Sequence, residues 1–458
     1  MRVPLPLPAL TAAARAVGAL SRVAGAGGGT TLPGKLLWKL DPGAIARLAE
    51  RLPQGSAVLS ATNGKTTTAA MTAEILRGKA RLAHNRSGAN LVSGVASTLL
   101  ASNGAELGLF EVDEAALPQV AGVVRPRVLC LGNLFRDQLD RYGELELIAE
   151  RWRTLVHELP DAARLVVNGD DPQLGDLVRE RAGTVVFGLD DPRHARPGGL
   201  QHAADSKHCV RCGAPYVFHA AYVGHLGDYE CRRCGHRRPP LEVAARSIEL
   251  DGLDGTRFRL TLPEGERTVR VPLPGLYNVY NAVAAAALAR ELGASGDEIV
   301  AGLERFAAAF GRFERIRLGD RRLLMLLIKN PAGANEAIRT LVAGGAPAHA
   351  VIALNDAIAD GKDVSWIWDV DFEPLLDALD RIVVTGDRAA ELALRFKYAG
   401  FDPAAIDLVP ALERGLDRGL ELTPPGGELV VLPTYTAMLA LRRIVAGRGH
   451  VGQYWQAA

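Results

Sequence analysis

The sequence predicts an α/β fold: a parallel sheet carrying a phosphate loop, a four-cysteine insertion, and a second α/β unit at the C-terminus. Three observations carry this expectation. Between residues 56 and 180 the runs SAVLSATNGKTTTAAMTAEILRG, LGLFEVDEA, VLCLGNL and LVVNGDDP alternate apolar strands with helical stretches, as strands joined by crossover helices do. Four of the five cysteines form two CxxC pairs. After residue 312, LLMLLIKNP, HAVIALND, RIVVTGD and ELVVLPT are each followed by a helical pattern.

The elements follow in chain order. The apolar N-terminus ends in small residues as a signal peptide does. Pro4, Pro6, Pro8, Arg15 and Arg22 interrupt it, and no stretch reaches the ~18 apolar residues of a spanning helix. A cytoplasmic protein is expected, with a helix from Leu10 to Val23 and a glycine-rich connector closing an N-terminal segment of residues 1–55. A central nucleotide-binding domain spans 56–311, interrupted by a cysteine-, histidine- and arginine-rich module at 201–240. Antiparallel strands follow at 242–273, and an α/β domain occupies 312–458.

Composition excludes several classes. The 458 residues suffice for about three domains, and 48% apolar with 23% charged residues speak against both global disorder and a polytopic membrane protein. Fifty-three basic residues against 52 acidic leave a formal charge of +1. No long-range field then draws nucleic acid or anionic lipid, and any polyanion is bound locally.

Thr62, Asn63, Gly64, Lys65, Thr66 and Thr67 join an apolar strand to an alanine-rich helix. In such a turn backbone amides surround phosphate oxygens, the lysine neutralises them and a threonine hydroxyl binds Mg²⁺, here Lys65 and Thr66. The full spacing places glycine at 59, where Leu59 stands, so a chance GKT in a surface turn is the alternative. Magnesium needs carboxylates, and Glu111, Asp113 and Glu114 follow the strand LGLF, at the strand ends where open α/β sheets bind ligands. Glu111 and Glu114 are the favoured pair. Their alternative is an acidic helix N-terminus.

Cys209 and Cys212, then Cys231 and Cys234 after eighteen intervening residues, match a tetrahedral zinc ribbon. Four thiolates leave no open position, so the zinc is expected to be structural. Cys130, inside an apolar strand, is expected to be buried, which leaves no evident thiol nucleophile.

ATNGKTTT, FEVDEA, GNLFRDQLDRYGELE, VNGDDP, GLYNVYNAVAAA and GRFERI stand in the order seen in Mur ligases, which the chain resembles over most of residues 55–315. GGGTTLPGK, the cysteine insertion and DGKDVSWIWDVDFE look like the MurT group, the ligase-like subunits of lipid II isoglutaminyl synthase. The resemblance implies a Mur ligase-like ATPase domain using ATP, Mg²⁺ and Zn²⁺. It further implies amidation of the α-carboxylate of D-glutamate in lipid II through an acyl phosphate, with ammonia from a GatD-like glutaminase. It places Asn278, Asn281 and Arg312 near the nucleotide, with helix N-capping as the alternative for the two asparagines. The work would be done at the inner face of the cytoplasmic membrane, with no membrane span and no nucleic acid.

Two departures stand out. Trp152 occupies the position of the family's carbamylated lysine, and LLIKNP replaces the DYAHNP-like segment that handles an incoming amino acid, which suits a small nucleophile such as ammonia. Asp356, Asp360, Asp363, Asp369 and Asp371 crowd around Trp366 and Trp368, either as a solvated loop or as a partner-facing one, since tryptophan is enriched in interface hot spots. The resemblance implies that an aspartate here completes the partner's catalytic triad, with Asp369 preferred and Asp363 second. Rival readings are a self-sufficient amino-acid ligase and a nucleic-acid-binding zinc-ribbon NTPase. The latter is prompted by Arg232, Arg233, Arg237 and Arg238, which otherwise read as a solvated rim or a contact for lipid phosphates.

Overall fold

The computed structural model describes residues 6–23, 31–85, 89–137, 145–200, 204–307, 313–345 and 347–450. Its strands, in chain order, are β1 (Ser56–Ser60), β2 (Leu82–His84), β3 (Leu107–Val112), β4 (Val128–Leu131), β5 (Arg164–Asn168), β6 (Val185–Leu189), β7 (Val217–Val223), β8 (Leu226–Glu230), β9 (Val243–Asp251), β10 (Gly255–Leu262), β11 (Gly265–Val271), β12 (Glu314–Leu318), β13 (Arg321–Met325), β14 (His349–Ala353), β15 (Arg381–Thr385), β16 (Ile406–Leu408) and β17 (Glu428–Pro433).

Nine strands form one sheet in the order β11-β10-β9-β6-β5-β4-β1-β3-β2. From β2 to β9 every pair is parallel, and β10 and β11 add an antiparallel edge. The strands expected at 242–273 therefore extend the central sheet. β1, β3 and β4 are buried along their whole length, as parallel strands covered on both faces must be. Along β1, Ala57 and Leu59 face a core that includes helices Lys65–Ile75 and Leu276–Glu291. Val58 faces the opposite core, which Leu10, Leu37 and Ile45 of the N-terminal helices help to fill.

The chain order reverses at β1, because β3 and β4 lie on opposite sides of it. Such a switch opens a crevice beyond the carboxyl ends of the strands, and the segment TNGKTTT begins there.

The C-terminal sheet runs β12-β13-β17-β14-β15-β16; an antiparallel β12–β13 hairpin precedes parallel strands. The helix Pro331–Ala343 starts with Asn330, whose side chain accepts from the Gly333 N–H, and Pro331, a favoured pairing of cap and first residue. Its Ala334, Ala337, Ile338 and Leu341 share one apolar cluster with Val279 and Val283 of helix Leu276–Glu291, so this helix packs the two sheets' units together. β7 and β8 form a separate hairpin. Among the described residues no helix is long and apolar enough to cross a membrane.

A candidate phosphoryl-transfer site and a four-cysteine cluster

The turn after β1 is held from two sides. Asn133 accepts from the Asn63 N–H at 2.9 Å and donates to the Asn63 carbonyl at 3.0 Å. The Thr62 hydroxyl accepts from the Phe135 N–H at 3.0 Å. Gly64, at φ 87°, precedes helix Lys65–Ile75. A side chain there is excluded twice, by that left-handed backbone and by Asn281 Oδ1, which a Cβ would meet at 2.0 Å.

Asn281 donates to Asn278 Oδ1 at 3.1 Å, and Asn278 donates to the Pro274 carbonyl at 2.8 Å. The helix cap is Gly275. The N-capping alternative for these asparagines is thereby corrected: they lie inside the helix, and Asn281 packs against Gly64 and accepts from the Thr68 hydroxyl at 3.4 Å. Arg312 and the expected boundary at 311 lie outside the described residues.

Lys65 is buried and donates to Glu114 Oε2 at 2.7 Å, to the Thr62 carbonyl at 3.3 Å and to the Ala61 carbonyl. Burial opposes ionisation of Glu114, but the charges of Lys65 and Lys329 outweigh it and hold the carboxyl below its ordinary value. Trp152, fully buried, donates its indole N–H to the Glu114 carbonyl at 3.0 Å. An aromatic donor at position 152 thus orients the acidic loop.

Glu111 is the penultimate residue of β3 rather than part of the following loop, paired in register with Leu59. Its backbone is bracketed by Asn85, which accepts from the Glu111 N–H at 3.0 Å and donates to its carbonyl at 2.8 Å. The next helix, Leu117–Val124, has no acid in its first turn, which removes the helix-terminus alternative. Among the described residues the Thr66 hydroxyl and Glu111 Oε2 are buried polar atoms without a hydrogen-bond partner. Two unsatisfied oxygens suit a hard cation that prefers oxygen ligands, as Mg²⁺ does; Glu114, by contrast, is bound to Lys65.

A cavity of about 350 Å³ opens over this turn, lined by Thr62, Lys65, Glu111, Asn281, Lys329 and Glu336 among others. Asn63, Gly64 and Thr67 also border it, whereas Thr66, Asn278 and Glu114 are not among its lining residues; Asn278 and Glu114 lie behind Asn281 and Lys65, to which they are bonded. The sequence reading missed Asn133, Asp137, Lys329 and Asn330. Lys329 and Asn330 sit inside LLIKNP, whose departure from the family pattern was the available signal. Lys329 donates to Asp137 at 2.6 Å. Asn330 and Asn63 exchange amide hydrogen bonds of 3.2 and 3.1 Å, tying the C-terminal unit to the phosphate turn.

Cys209, Cys212, Cys231 and Cys234 bring their sulfurs within 4.8 Å of one another. The Cys209–Cys234 and Cys212–Cys231 pairs are each 3.5 Å apart. Tetrahedral zinc with bonds of about 2.3 Å separates sulfurs by about 3.8 Å, so the cluster fits that ion. Gly213 and Gly235, at φ 72° and 74°, supply the left-handed residue that closes each knuckle.

Tyr216 and Tyr229 pack with Cys209 and Cys231, and Arg211 binds Asp176 of the central unit at 2.6 Å. Arg232, Arg233 and Arg237 are exposed, but the expectation for Arg238 is corrected. It is only 13% exposed and pairs with Asp170 at 3.2 Å, Asp228 at 3.4 Å and Asp190 at 3.5 Å, because the fully buried carboxylate of Asp170 in VNGDDP needs a cation beside it. Cys130 is buried, and burial pushes its thiol far up, as expected of a core residue.

The five aspartates of the acidic segment bond to different partners, although three of them border one cavity. Asp360 is buried against Thr436, accepting its N–H at 2.8 Å. Asp356 faces Lys362 at 3.8 Å and Asp371 faces Arg196 at 3.6 Å. Asp363 accepts from Ser365, which keeps its carboxyl below the usual value. Asp369, 40% exposed, lies 3.5 Å from Arg136. Asp360, Asp363, Asp369 and Trp366 border a second cavity of about 120 Å³. Trp368 is exposed and stacks edge-on with Tyr398 at 5.9 Å.

Residues 60–227 match the Mur ligase middle domain and residues 327–438 the MurT ligase C-terminal domain. The chain is 34% identical over 429 residues to the lipid II isoglutaminyl synthase (glutamine-hydrolyzing) subunit MurT of Streptococcus pneumoniae, covering 92% of this chain and 93% of that one. The chain belongs to the MurT family. The MurT of Staphylococcus aureus strain N315 is 31% identical, with 90% of this chain and 91% of that one covered. A pseudomurein peptide ligase type C from Methanothermus fervidus superposes with a TM-score of 0.68 at 22% identity, covering 88% of this chain and 80% of that one. It shares the fold. The expected Mur ligase-like α/β class with a four-cysteine cluster and a MurT C-terminal domain is borne out.

Proposed function

We propose that this MurT-family chain is the synthetase subunit that converts the α-carboxylate of D-glutamate in the lipid II stem peptide to the amide of D-isoglutamine. Kinship to the pneumococcal subunit over nearly the full length of both chains carries this reading, and the buried Lys65–Glu114 pair under the phosphate turn is what the chemistry needs. A carboxylate resists attack because it is already anionic; transfer of the γ-phosphoryl of ATP turns it into an acyl phosphate with a good leaving group. Catalysis then rests on neutralising charge and positioning reactants. Lys65, with Gly64 and the helix N-terminus, binds the phosphates, and Asn281 braces the turn. Thr66 and Glu111 are the oxygens that would hold Mg²⁺, which when bound neutralises phosphate charge. The zinc held by four cysteines is structural.

Ammonia comes from a glutaminase partner, since Cys130 is sealed in the core. Asp369, exposed on the rim of the second cavity beside Trp368, is the aspartate assigned to that partner's triad, with Asp363 second. The chain works at the cytoplasmic membrane face, where lipid II is presented.

The test supplies the purified chain with ATP, Mg²⁺ and lipid II, plus either ammonium or glutamine, and follows amidated lipid II by mass spectrometry. Product with ammonium but not with glutamine is expected, with glutamine becoming effective once the glutaminase is added. Product from a free amino acid, or none under any supply, would overturn the reading.

A further inference from the structure

Two cavities share one ion pair. Asp137, six residues beyond β4, and Lys329, between β13 and helix Pro331–Ala343, line both the larger cavity over the phosphate turn and the smaller one bordered by Asp360, Asp363 and Asp369. Asp137 is 7% exposed and Lys329 28%. Glu114 feels Lys65 and Lys329, while burial, with the neighbouring Glu114 charge, pushes the Asp137 carboxyl above its usual value against the pull of both lysines. Two ammonium groups, one from each unit, therefore share two buried carboxylates, of which Asp137 lines the larger cavity and Glu114 is bonded to Lys65 behind its wall.

The position of Lys329 is built. The next residue, Asn330, clasps Asn63 of the phosphate turn through two amide hydrogen bonds and caps its own helix through the Gly333 N–H at 2.9 Å. A lysine bracketed in this way cannot drift from the phosphate turn as a surface side chain would. The salt bridge to Asp137 is also exchangeable: an incoming anion of higher charge competes for the donors of the ammonium group.

We propose that Lys329 is a catalytic residue, the cation that the C-terminal unit contributes to the acyl phosphate, held on Asp137 until the anionic reactants enter. This rests on the carboxylate-activating reading above. In the first step a carboxylate oxygen bonds to the γ-phosphorus while the bond from phosphorus to the bridging oxygen breaks, its electron pair leaving with ADP. In the second the ammonia nitrogen bonds to the carbonyl carbon and the carbon–oxygen bond to phosphate breaks. Two hydrogens of ammonia stay in the amide, and the third leaves as a proton with phosphate. Negative charge gathers on phosphoryl and carbonyl oxygens in both steps. Lys329 meets that charge from the side of the second cavity, which it also lines.

The experiment compares Lys329→Met, Lys329→Arg and the double variant Asp137→Asn with Lys329→Met. The double variant leaves no buried carboxylate without its partner, so its folding does not suffer from that charge. Ammonium-dependent amidation of lipid II is expected to fall on the order of 100-fold in both Met variants, with Arg retaining most of the rate. Calorimetric titration is expected to show ADP binding within about twofold of wild type and binding of ADP with aluminium fluoride weakened about tenfold, since lost charge stabilisation is felt only when transition-state charge is mimicked. Wild-type rates in both Met variants would overturn the assignment, as would a loss of ADP binding as large as the loss of rate. A wild-type chain that makes no amide from ammonium would instead overturn the functional reading, and this assignment with it.

Discussion

The phosphate turn and the acidic segment 356–371 both follow the carboxyl ends of buried parallel strands, β1 and β14, and they treat charge in opposite ways. At the end of β1, Lys65 and Glu114 are 7% and 5% exposed and bonded to each other. Trp152 fixes the Glu114 carbonyl, and Asn133 and Asn281 hold the turn. After β14, Asp360 is bound to Thr436, whereas Asp369 is 40% exposed and Trp368 49%. Buried charges must find their partners within the chain because desolvation is costly. Exposed ones need not. The Lys65–Glu114 charges of the first region are paired and buried inside the chain, whereas Asp369 and Trp368 of the second remain open to solvent.

Breaking the first region has the largest expected effect. Lys65→Met should lower ammonium-dependent amidation on the order of 1,000-fold, as removal of a charge aimed at the transferring phosphoryl does. It also leaves Glu114 buried and unpaired, at a cost of about 3–5 kcal/mol; adding Glu114→Gln should restore the thermal midpoint without restoring the rate. Breaking the second region separates ammonia supply from ammonia use. With the glutaminase present, Asp369→Asn should reduce the ratio of glutamine-supported to ammonium-supported product on the order of 100-fold, because an unoriented histidine base loses most of its effect. Asp363→Asn should change that ratio by less than about threefold, since its carboxyl is engaged by Ser365. The reverse ranking would transfer the role to Asp363. The smallest effect belongs to the clasp between the units. Asn330→Ala removes a helix cap and two amide hydrogen bonds, and should lower stability by about 1–3 kcal/mol in urea unfolding. Faster hydrogen exchange should then reach both the 62–68 turn and the start of helix Pro331–Ala343.

Local chemistry made much of this legible beforehand. Lys65, Thr66 and the glycine at 64 could be read because a phosphate turn is set by consecutive residues between a strand and a helix. The four cysteines could be read because CxxC knuckles are short-range geometry. Asn133, Asp137 and Lys329 could not. Asn133 acts on Asn63 across 70 positions and Lys329 on Asp137 across 192, and an asparagine or lysine in isolation carries no mark of such a partner. Arg238 was misjudged for the same reason, since four arginines in a row of seven positions look solvated until Asp170 is packed beneath one of them.

The sequence by itself determined the α/β class, the glycine-lysine turn after β1, the cysteine knuckles and the kinship, all of which depend on neighbours in the chain or on motif order. Only the tertiary structure decided that Lys65 rests on Glu114, that Glu111 and Thr66 keep unsatisfied oxygens, and that the five aspartates of 356–371 go to different partners. It alone decided that Lys329 stands where two cavities meet. Those outcomes depend on which side chains are desolvated together, and desolvation is a property of the packed fold, absent from any single stretch of chain.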